Sequence, residues 1–423
     1  MRSLWSGLDA AAAPLAALLI AASLVRALGT DDYGVFVIAL AVSAVSTAVS
    51  PAISATTTKF IAEHRAQAGG GTNSVATIVT TSLLFMVLFD VVLLTGAALF
   101  ATPLSRFVFA DAALARPDIE EILLLAVLAV CVQQIDIVLG AALKGLECFR
   151  QQALYEWFSK AVLVAAVAIV GWLTGDLVLV LLVYSAIYAA SVVGRGCIVR
   201  RMAPDRRLFG RVTAQGLRTI AAFGGWMWLS AIATTAFVSL DRIIVGRVLG
   251  AAVAAQFSIY VQITQFAHFV PASLFAFLLP AFSRLSASGE AHKADLRDQY
   301  RKYFIVITTV ALAIGATIAV LGGQLFHLMS GDPMPHEHET AFFLLSLGFV
   351  ILALNICPYY LLVGSGRSRE VAMVTVMFML LALILMVPLT NEHGLTGTAI
   401  ARFGYVLGTL LLIHRALQVT RKQ

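Results

Sequence analysis

The chain has little charge and no extended polar sequence. Only 12% of its 423 residues are Asp, Glu, Lys or Arg, whereas 60% are hydrophobic. A soluble domain is typically about 25% charged and about 45–50% apolar. The largest polar breaks are residues 59–73, 195–216 and 284–302. None of them is long enough for a soluble catalytic domain, so the composition excludes a water-soluble enzyme.

Motifs for disulfides, metals and nucleotides are also lacking. The four cysteines show no CxxC spacing, so neither a disulfide nor a metal site is indicated. No glycine-rich nucleotide fingerprint occurs, so ATP is not expected to drive this chain directly. The net charge of +6 is explained by the asymmetry of the loops described below. We therefore expect no metal, no cofactor and no nucleic-acid partner.

The chain does contain a long series of apolar blocks, and its mean hydropathy is +0.91. A helix needs about 20 apolar residues to cross the hydrocarbon core of a bilayer. The blocks predict an all-α, polytopic membrane protein with about twelve transmembrane helices. The predicted spans are 8–28, 34–56, 75–101, 119–143, 152–172, 177–198, 218–240, 252–282, 303–325, 340–363, 371–390 and 395–415.

Basic residues concentrate in every second loop. The alternate loops carry mainly acids, such as Asp31, Asp32 and Asp176. Because cytoplasmic loops are enriched in Lys and Arg, this alternation places both termini in the cytoplasm. The basic residues assigned to cytoplasmic loops include Lys144, Arg150, Arg195, Arg200, Arg201, Arg206, Arg207, Arg367 and Arg369.

The two halves of the chain share a layout. Residues 28–36 and 249–257 both begin with Leu-Gly and have a Phe seven residues past the Gly. Each segment lies where the first two helices of its half are joined. An even number of spans per half gives parallel repeats, which are a transporter architecture with a site near the membrane midplane. We predict six-helix lobes at 1–210 and 211–423.

Several charges fall inside predicted spans, where each costs at least about 2.5–3.5 kcal/mol on insertion scales. Asp136 and Lys160 lie at similar depths in neighbouring spans, so we predict that they pair directly. That pair could serve function or simply hold two helices together. Asp90 is isolated among apolar residues and is either an ion carrier or a polar contact between helices.

Arg402 lies inside the last span, and its planar guanidinium suits a phosphate. It is interpreted as an anion contact facing a cavity or, alternatively, as part of a buried structural pair. The eighth span places Ser258, Gln262, Gln265 and His268 at helical spacing. A helix that faces only lipid would not carry such a stripe. The stripe is expected to line a cavity and to meet sugar hydroxyls, with helix packing as the alternative.

Short motifs occupy the helix junctions of both halves. The first joins spans one and two as Arg26-Ala-Leu-Gly-Thr-Asp-Asp-Tyr-Gly-Val-Phe36. Thr57-Thr-Lys-Phe60 follows at the end of the second span. The second half contains Asp241-Arg242-Ile-Ile-Val-Gly246 and Leu279-Pro-Ala-Phe-Ser-Arg284. These motifs resemble those of bacterial polysaccharide-unit (Wzx-type) flippases. The resemblance covers essentially the whole chain through span number and loop layout.

That family belongs to the multidrug/oligosaccharidyl-lipid/polysaccharide (MOP) exporter superfamily. The resemblance implies two six-helix lobes around a V-shaped cavity. It also implies transport of an undecaprenyl-diphosphate-linked oligosaccharide from the cytoplasmic to the outer leaflet of the bacterial inner membrane. By motif position, Arg26 and Arg242 are implied as diphosphate contacts. Lys160 and Arg402 are added to them on the residue arguments alone.

The leading hypothesis is therefore a lipid-linked oligosaccharide flippase that works by alternating access. Its expected partners are the lipid-linked cargo, membrane lipids, a coupling ion (H⁺ or Na⁺) carried by Asp90 or Asp136, and polysaccharide polymerase machinery. The alternative from the same superfamily is a multidrug cation antiporter. A third hypothesis is a membrane enzyme such as a glycan polymerase. It is disfavoured because the predicted outer loops are short.

Overall fold

The computed structural model describes residues 2–44, 47, 50–66, 74–204, 206–212, 239–275, 277–278, 281–282, 285 and 293–422. Within this part the chain is helical, with no β-strand. The first helices are α1 (Arg2–Leu28), α2 (Thr30–Ala44), α3 (Ser50–Ala66), α4 (Val75–Leu99), α5 (Ala101–Val108), α6 (Asp111–Leu114), α7 (Ile119–Gly145), α8 (Phe149–Thr174) and α9 (Leu177–Met202). A helical segment at 239–249 precedes α10 (Ala251–Thr264), α11 (Phe266–Leu274), α12 (Lys293–Ser330), α13 (His336–Ala353), α14 (Ile356–Gly364) and α15 (Ser368–Lys422).

The predicted membrane spans coincide with these helices, which confirms the all-α, polytopic fold. Eight helical stretches of the described chain have the length and hydropathy of a span. One of them, in α15, contains two predicted spans, because the backbone bends at Gly394, whose φ is 58°. Another of the eight, His336–Gly364, is built from the two helices α13 and α14. The eighth predicted span, which is not among these stretches, contains α10 and α11. The seventh predicted span, 218–240, lies almost wholly outside the described residues, and a total of twelve fits the observed elements.

Local sequence sets the helix ends. Ser74 precedes α4, and its hydroxyl accepts a hydrogen bond from the backbone N–H of Thr77. Asp176 precedes α9, and its carboxylate accepts from the N–H groups of Val178 and Leu179 at 2.8 and 3.3 Å. Both are N-cap residues of the preferred type. Gly175 ends α8 with a φ of 64°, a left-handed conformation that favours glycine.

The chain forms two compact units, Met1–Ala255 and Gln256–Gln423. In the first unit α7 is central, since it contacts α2, α3, α4, α5, α8 and α9. In the second unit α13 packs against α11, α12 and α15. The proposed lobe boundary at residue 210 stays a prediction, because residues 213–238 lie outside the described part. The central position of α7 determines where the charged side chains meet.

Candidate functional site

A network of buried charges joins α7, α8 and α9 inside the first unit. Arg195 on α9 is only 1% exposed. Its Nε lies 3.0 Å from Oδ1 of Asp136 on α7, and its Nη2 lies 2.8 Å from Oε2 of Glu156 on α8. Glu156 also pairs with Lys160 one turn along α8, at 3.4 Å. Two acids and two bases therefore compensate one another within the membrane-spanning part of the unit.

Neutral polar side chains complete this network. The hydroxyl of Ser191 donates to Asp136 at 2.9 Å, and Nζ of Lys160 donates to the hydroxyl of Tyr188 at 2.9 Å. The remaining guanidinium nitrogen of Arg195 donates to Oε1 of Gln152 at 3.0 Å. Buried charges are tolerated when they are paired and hydrogen-bonded. These contacts therefore offset the cost of burying four charged side chains inside the unit.

The network continues towards the helix ends through α1. Nε2 of Gln152 donates to Oδ1 of Asp9 at 3.0 Å, and the other carboxylate oxygen of Asp9 pairs with Lys144 at 2.7 Å. The chain of contacts thus holds three acids and three bases and has no net charge. It ties together α1, α7, α8 and α9, with the part-exposed Lys144 at its end.

Space for the network depends on Gly140 of α7. A Cβ at this position would lie 2.6 Å from Nη1 of Arg195 and 3.1 Å from Nε2 of Gln152. Real Cβ atoms do not approach other heavy atoms this closely. The glycine therefore leaves room for the guanidinium to reach across the helix surface to α8.

The predicted direct pair between Asp136 and Lys160 is wrong. Both residues belong to one network, but Asp136 pairs with Arg195 and Lys160 pairs with Glu156. Their similar depth in the membrane correctly placed the two residues in the same region. Which partner each side chain contacts depends on the direction in which it leaves its helix, and depth alone does not give that direction. The loop charge pattern places Arg195 in a cytoplasmic loop, yet the structure buries it in α9. Its position inside the predicted span 177–198 was the available signal.

Asp90 forms a separate polar contact between α4 and α7. It is 6% exposed, and one carboxylate oxygen accepts a weak hydrogen bond from the amide of Gln134 at 3.4 Å. Cys131 approaches the backbone carbonyl of Asp90 at 3.9 Å. Within the described chain, no basic side chain forms an ion pair with Asp90. The carboxyl of Asp90 therefore differs from that of Asp136, because Asp136 forms an ion pair with the guanidinium of Arg195.

The two arginines taken from the helix-junction motifs lie in different surroundings. Arg26 is exposed in the last turn of α1, just before Gly29 adopts a φ of 85°. Arg242 lies in the helical segment 239–249, and its Nη1 is 4.0 Å from a carboxylate oxygen of the fully buried Asp241. Arg26 thus lies at a helix end, as predicted. Residues 213–238, which precede the segment that carries Arg242, lie outside the described part, so the predicted position of Arg242 at a helix end stays a prediction.

The predicted polar stripe of the second unit is split by a helix break. Gln262 is buried in α10, and its amide donates to the hydroxyl of Ser258 at 3.4 Å. Gln265 separates α10 from α11, where its carbonyl accepts from the N–H of His268 at 3.0 Å. The imidazole of His268 is half-buried in α11. Local hydrogen bonds thus account for part of this stripe.

Arg402 of α15 is 5% exposed and is surrounded by rings. Its guanidinium carbon lies 5.1 Å from the ring centroid of Phe349 on α13 and 5.9 Å from that of Tyr405. Such cation–π contacts stabilise a guanidinium that is removed from water. The side chain is thereby fixed deep within the second unit.

A further charge cluster lies outside the spans, before α7. Arg116 forms a forked pair with Asp118 at 3.0 Å for both contacts and also bonds Asp32 of α2. The hydrogen bonds from Arg116 hold the pKa of Asp118 below its usual value. The same carboxylates raise the pKa of Arg116. This cluster links the beginnings of α2 and α7 and was not singled out by the sequence.

No metal centre emerges from the described residues, since no three His, Cys, Asp or Glu side chains there are grouped to hold an ion. The functional groups are instead buried charges, amides and rings on membrane-spanning helices. They can bind charged or polar groups and can hold or exchange protons. Such chemistry suits a membrane transporter.

Comparisons with known proteins agree with this interpretation. The family model described as "Polysaccharide biosynthesis protein" matches residues 4–286. A Shigella flexneri protein named "Putative O-antigen transporter" is 22% identical over 422 residues, which cover 97% of this chain and 96% of that protein. The family model is thus named for polysaccharide biosynthesis, and the Shigella flexneri relative is named for transport.

Solved structures give the fold. An inward-facing multidrug resistance MATE family transporter of the MOP superfamily matches with a TM-score of 0.73 at 14% identity, covering 100% of this chain and 96% of that one. A MOP superfamily transporter from Pyrococcus furiosus matches with a TM-score of 0.61 at 14% identity, covering 99% and 94%. The chain belongs to the polysaccharide biosynthesis protein family and is a multi-pass membrane protein with the MOP superfamily transporter fold.

Proposed function

We propose that this protein flips an undecaprenyl-diphosphate-linked oligosaccharide repeat unit from the cytoplasmic to the outer leaflet for the synthesis of a surface polysaccharide. The observation that carries the proposal is similarity to an O-antigen transporter along almost the entire chain, together with the family match. Alternating access between two lobes is the mechanism expected of such an architecture. The protein would lie in the bacterial inner membrane with both termini in the cytoplasm.

Arg26, Arg242 and Arg402 are proposed to meet the diphosphate of the cargo, whereas Lys160 is proposed to balance Glu156. Arg26 is exposed in the last turn of α1, and Arg402 lies against the ring of Phe349. Arg242 lies beside Asp241, and Lys160 is compensated by Glu156. A phosphate would have to compete with those carboxylates. Gln262, Gln265 and His268 are proposed to contact the sugars.

Asp90 is the better of the two proposed ion carriers. Asp90 has no basic partner among the residues that the structure describes, and a carboxyl in such surroundings inside a span is best accommodated when it is protonated. Asp136, in contrast, is held by Arg195 and Ser191. Asp90→Asn, which mimics the protonated form, is expected to abolish the gradient dependence of flipping in vesicles. Flipping by the wild type that is unchanged after collapse of proton and sodium gradients would refute ion coupling.

The cargo is tested in cells that lack this protein. Mass spectrometry of prenyl-diphosphate-linked glycans is expected to show accumulation of one complete repeat unit, together with loss of surface polymer. An unchanged lipid-linked pool, with normal surface glycan and increased sensitivity to cationic dyes, would contradict the proposal and favour drug export. Shortened surface polymer with intact export would instead indicate a defect in the polymerase machinery.

The site is tested by complementing those cells. Charged hydrogen bonds contribute about 1.5–3 kcal/mol each, so Arg402→Gln is expected to reduce flipping roughly 10- to 100-fold. Arg402→Lys retains the charge and should restore part of the activity. Arg415→Gln is the matched control, because Arg415 is exposed on the same helix. Equal activity of Arg402→Gln and Arg415→Gln, at equal protein levels, would remove Arg402 from the cargo site.

A further inference from the structure

An apolar groove with an arginine rim lies on the first unit. It has a volume of about 670 Å³ and is bounded by α4, α7, α9 and the segment 206–209. Its apolar wall is formed by Leu83, Val87, Ile135, Leu139, Val192 and Val193. Its rim carries Arg200, Arg206 and Arg207. A smaller depression of about 500 Å³ adjoins it and adds Arg201.

The rim is a built feature, because the chain after α9 folds back onto α4. Arg206 adopts a φ of 50°, which is uncommon for a residue other than glycine and reverses the chain direction. Nε of Arg200 donates to the carbonyl of Arg206 at 3.3 Å. The N–H of Gly210 donates to the hydroxyl of Thr80 at 2.8 Å, and Leu208 packs against the core between α4, α7 and α9. The guanidiniums are thereby held next to the groove.

The surface of the groove is amphipathic. Val87, Val193 and Phe209 are 40%, 68% and 67% exposed, so the apolar wall is open to the surroundings. Among the described residues, no acidic side chain lines either depression. The charge pattern places this end of α9 on the cytoplasmic side. The positive-inside rule explains why arginines occur in this region, but not why they border an open apolar groove.

We propose that this groove binds an anionic phospholipid of the cytoplasmic leaflet. One acyl chain lies along the apolar wall, and the phosphate accepts hydrogen bonds from Arg206 and Arg207. Guanidinium groups bind phosphates through paired hydrogen bonds, and basic pockets between membrane helices on the cytoplasmic side bind anionic headgroups. The groove contains none of the residues proposed for the cargo, so a phospholipid bound there would be additional to the transported molecule.

Native mass spectrometry of the purified full-length protein tests the headgroup. Titration with dioleoyl-phosphatidylglycerol is expected to give about tenfold tighter binding than titration with dioleoyl-phosphatidylcholine. The double variant Arg206→Gln/Arg207→Gln should lose that preference. The control Arg367→Gln/Arg369→Gln removes the same charge from another predicted cytoplasmic loop and should keep it. Equal binding of both lipids to the wild type, or equal effects of the two double variants, would overturn the proposal.

A second variant tests the groove without changing charge. Val193→Trp fills the space beside the apolar wall and should weaken binding of phosphatidylglycerol several-fold, whereas Ile169→Trp, at an exposed position of α8, should not. A thermal melt verifies that each variant is folded. The same titration with undecaprenyl phosphate tests whether the groove binds a prenyl-linked phosphate instead of a phospholipid. Tighter binding of undecaprenyl phosphate than of phosphatidylglycerol, lost in the same variants, would assign the groove to the cargo and overturn the phospholipid proposal.

Discussion

The buried network makes a sharp prediction for Arg195. Replacing Arg195 with Met removes the only ion-pair partner that Asp136 has among the described residues. It also leaves Glu156 paired with Lys160 alone. Methionine fills much of the same volume, so the change mainly removes charge. The variant therefore measures the cost of leaving a carboxylate uncompensated inside the protein.

The magnitude follows from the burial of the pair. The side chains of Arg195 and Asp136 are 1% and 4% exposed, so water cannot take the place of the guanidinium. Removing one partner of a buried pair costs about 3–5 kcal/mol, and a lone charge inside a span costs about 2.5–3.5 kcal/mol. Both estimates agree on a free energy of unfolding that is lower by about 3 kcal/mol or more.

The assay is equilibrium unfolding in mixed micelles of SDS and dodecyl maltoside. The double variant Arg195→Met/Asp136→Leu removes both charges, and it should recover most of the loss, because apolar replacement of a buried pair is often neutral. Arg201→Met on the exposed face of α9 is the matched control and should change stability by less than about 0.5 kcal/mol. A double variant that is less stable than Arg195→Met would refute the reasoning.

Two further predictions concern packing and pH. A Cβ on Gly34 would overlap the backbone of Ala251, so Gly34→Ala should lower the melting temperature with a cost of about 1–3 kcal/mol, whereas Gly96→Ala, with open space around it, should not. Asp118→Asn should cost about 0.5–1 kcal/mol at neutral pH, as expected for a part-exposed pair with Arg116. Because the pKa of Asp118 is lowered in the folded protein, the wild type is more stable than Asp118→Asn by the full amount only above the ordinary pKa of 3.8. This difference in the free energy of unfolding, measured by chemical denaturation, should disappear as the pH falls through the folded pKa. A difference that persists at lower pH would contradict the role given to Asp118.

The fold could be predicted from the sequence because hydropathy alone identifies membrane spans. Backbone groups in lipid must be satisfied internally, so long apolar blocks can only be helices. The bend at Gly394 falls between the predicted spans 371–390 and 395–415. The break at Gln265 was not predicted, because no proline or glycine marks it. Local backbone geometry there depends on packing rather than on composition.

The candidate site could be predicted only in part. Asp90, Asp136, Lys160 and Arg402 were found because a charge inside an apolar block stands out. Their partners could not be assigned, because a shift of one residue rotates a side chain by about 100° around an α-helix of 3.6 residues per turn. Arg195 was missed because a basic residue near a span end is also what the positive-inside rule predicts.

Lys160 shows how the compensated network and a cargo contact can be separated. If Lys160 only balances Glu156, then Lys160→Gln destabilises the protein, and the double variant Glu156→Gln/Lys160→Gln restores folding and flipping together. If Lys160 also binds the diphosphate, the double variant folds but does not flip, since its amide cannot replace the charge. Thermal stability and accumulation of the lipid-linked repeat unit, measured on the same two variants, distinguish these cases. Because Lys160 is already held by Glu156 and Tyr188, we expect the first result.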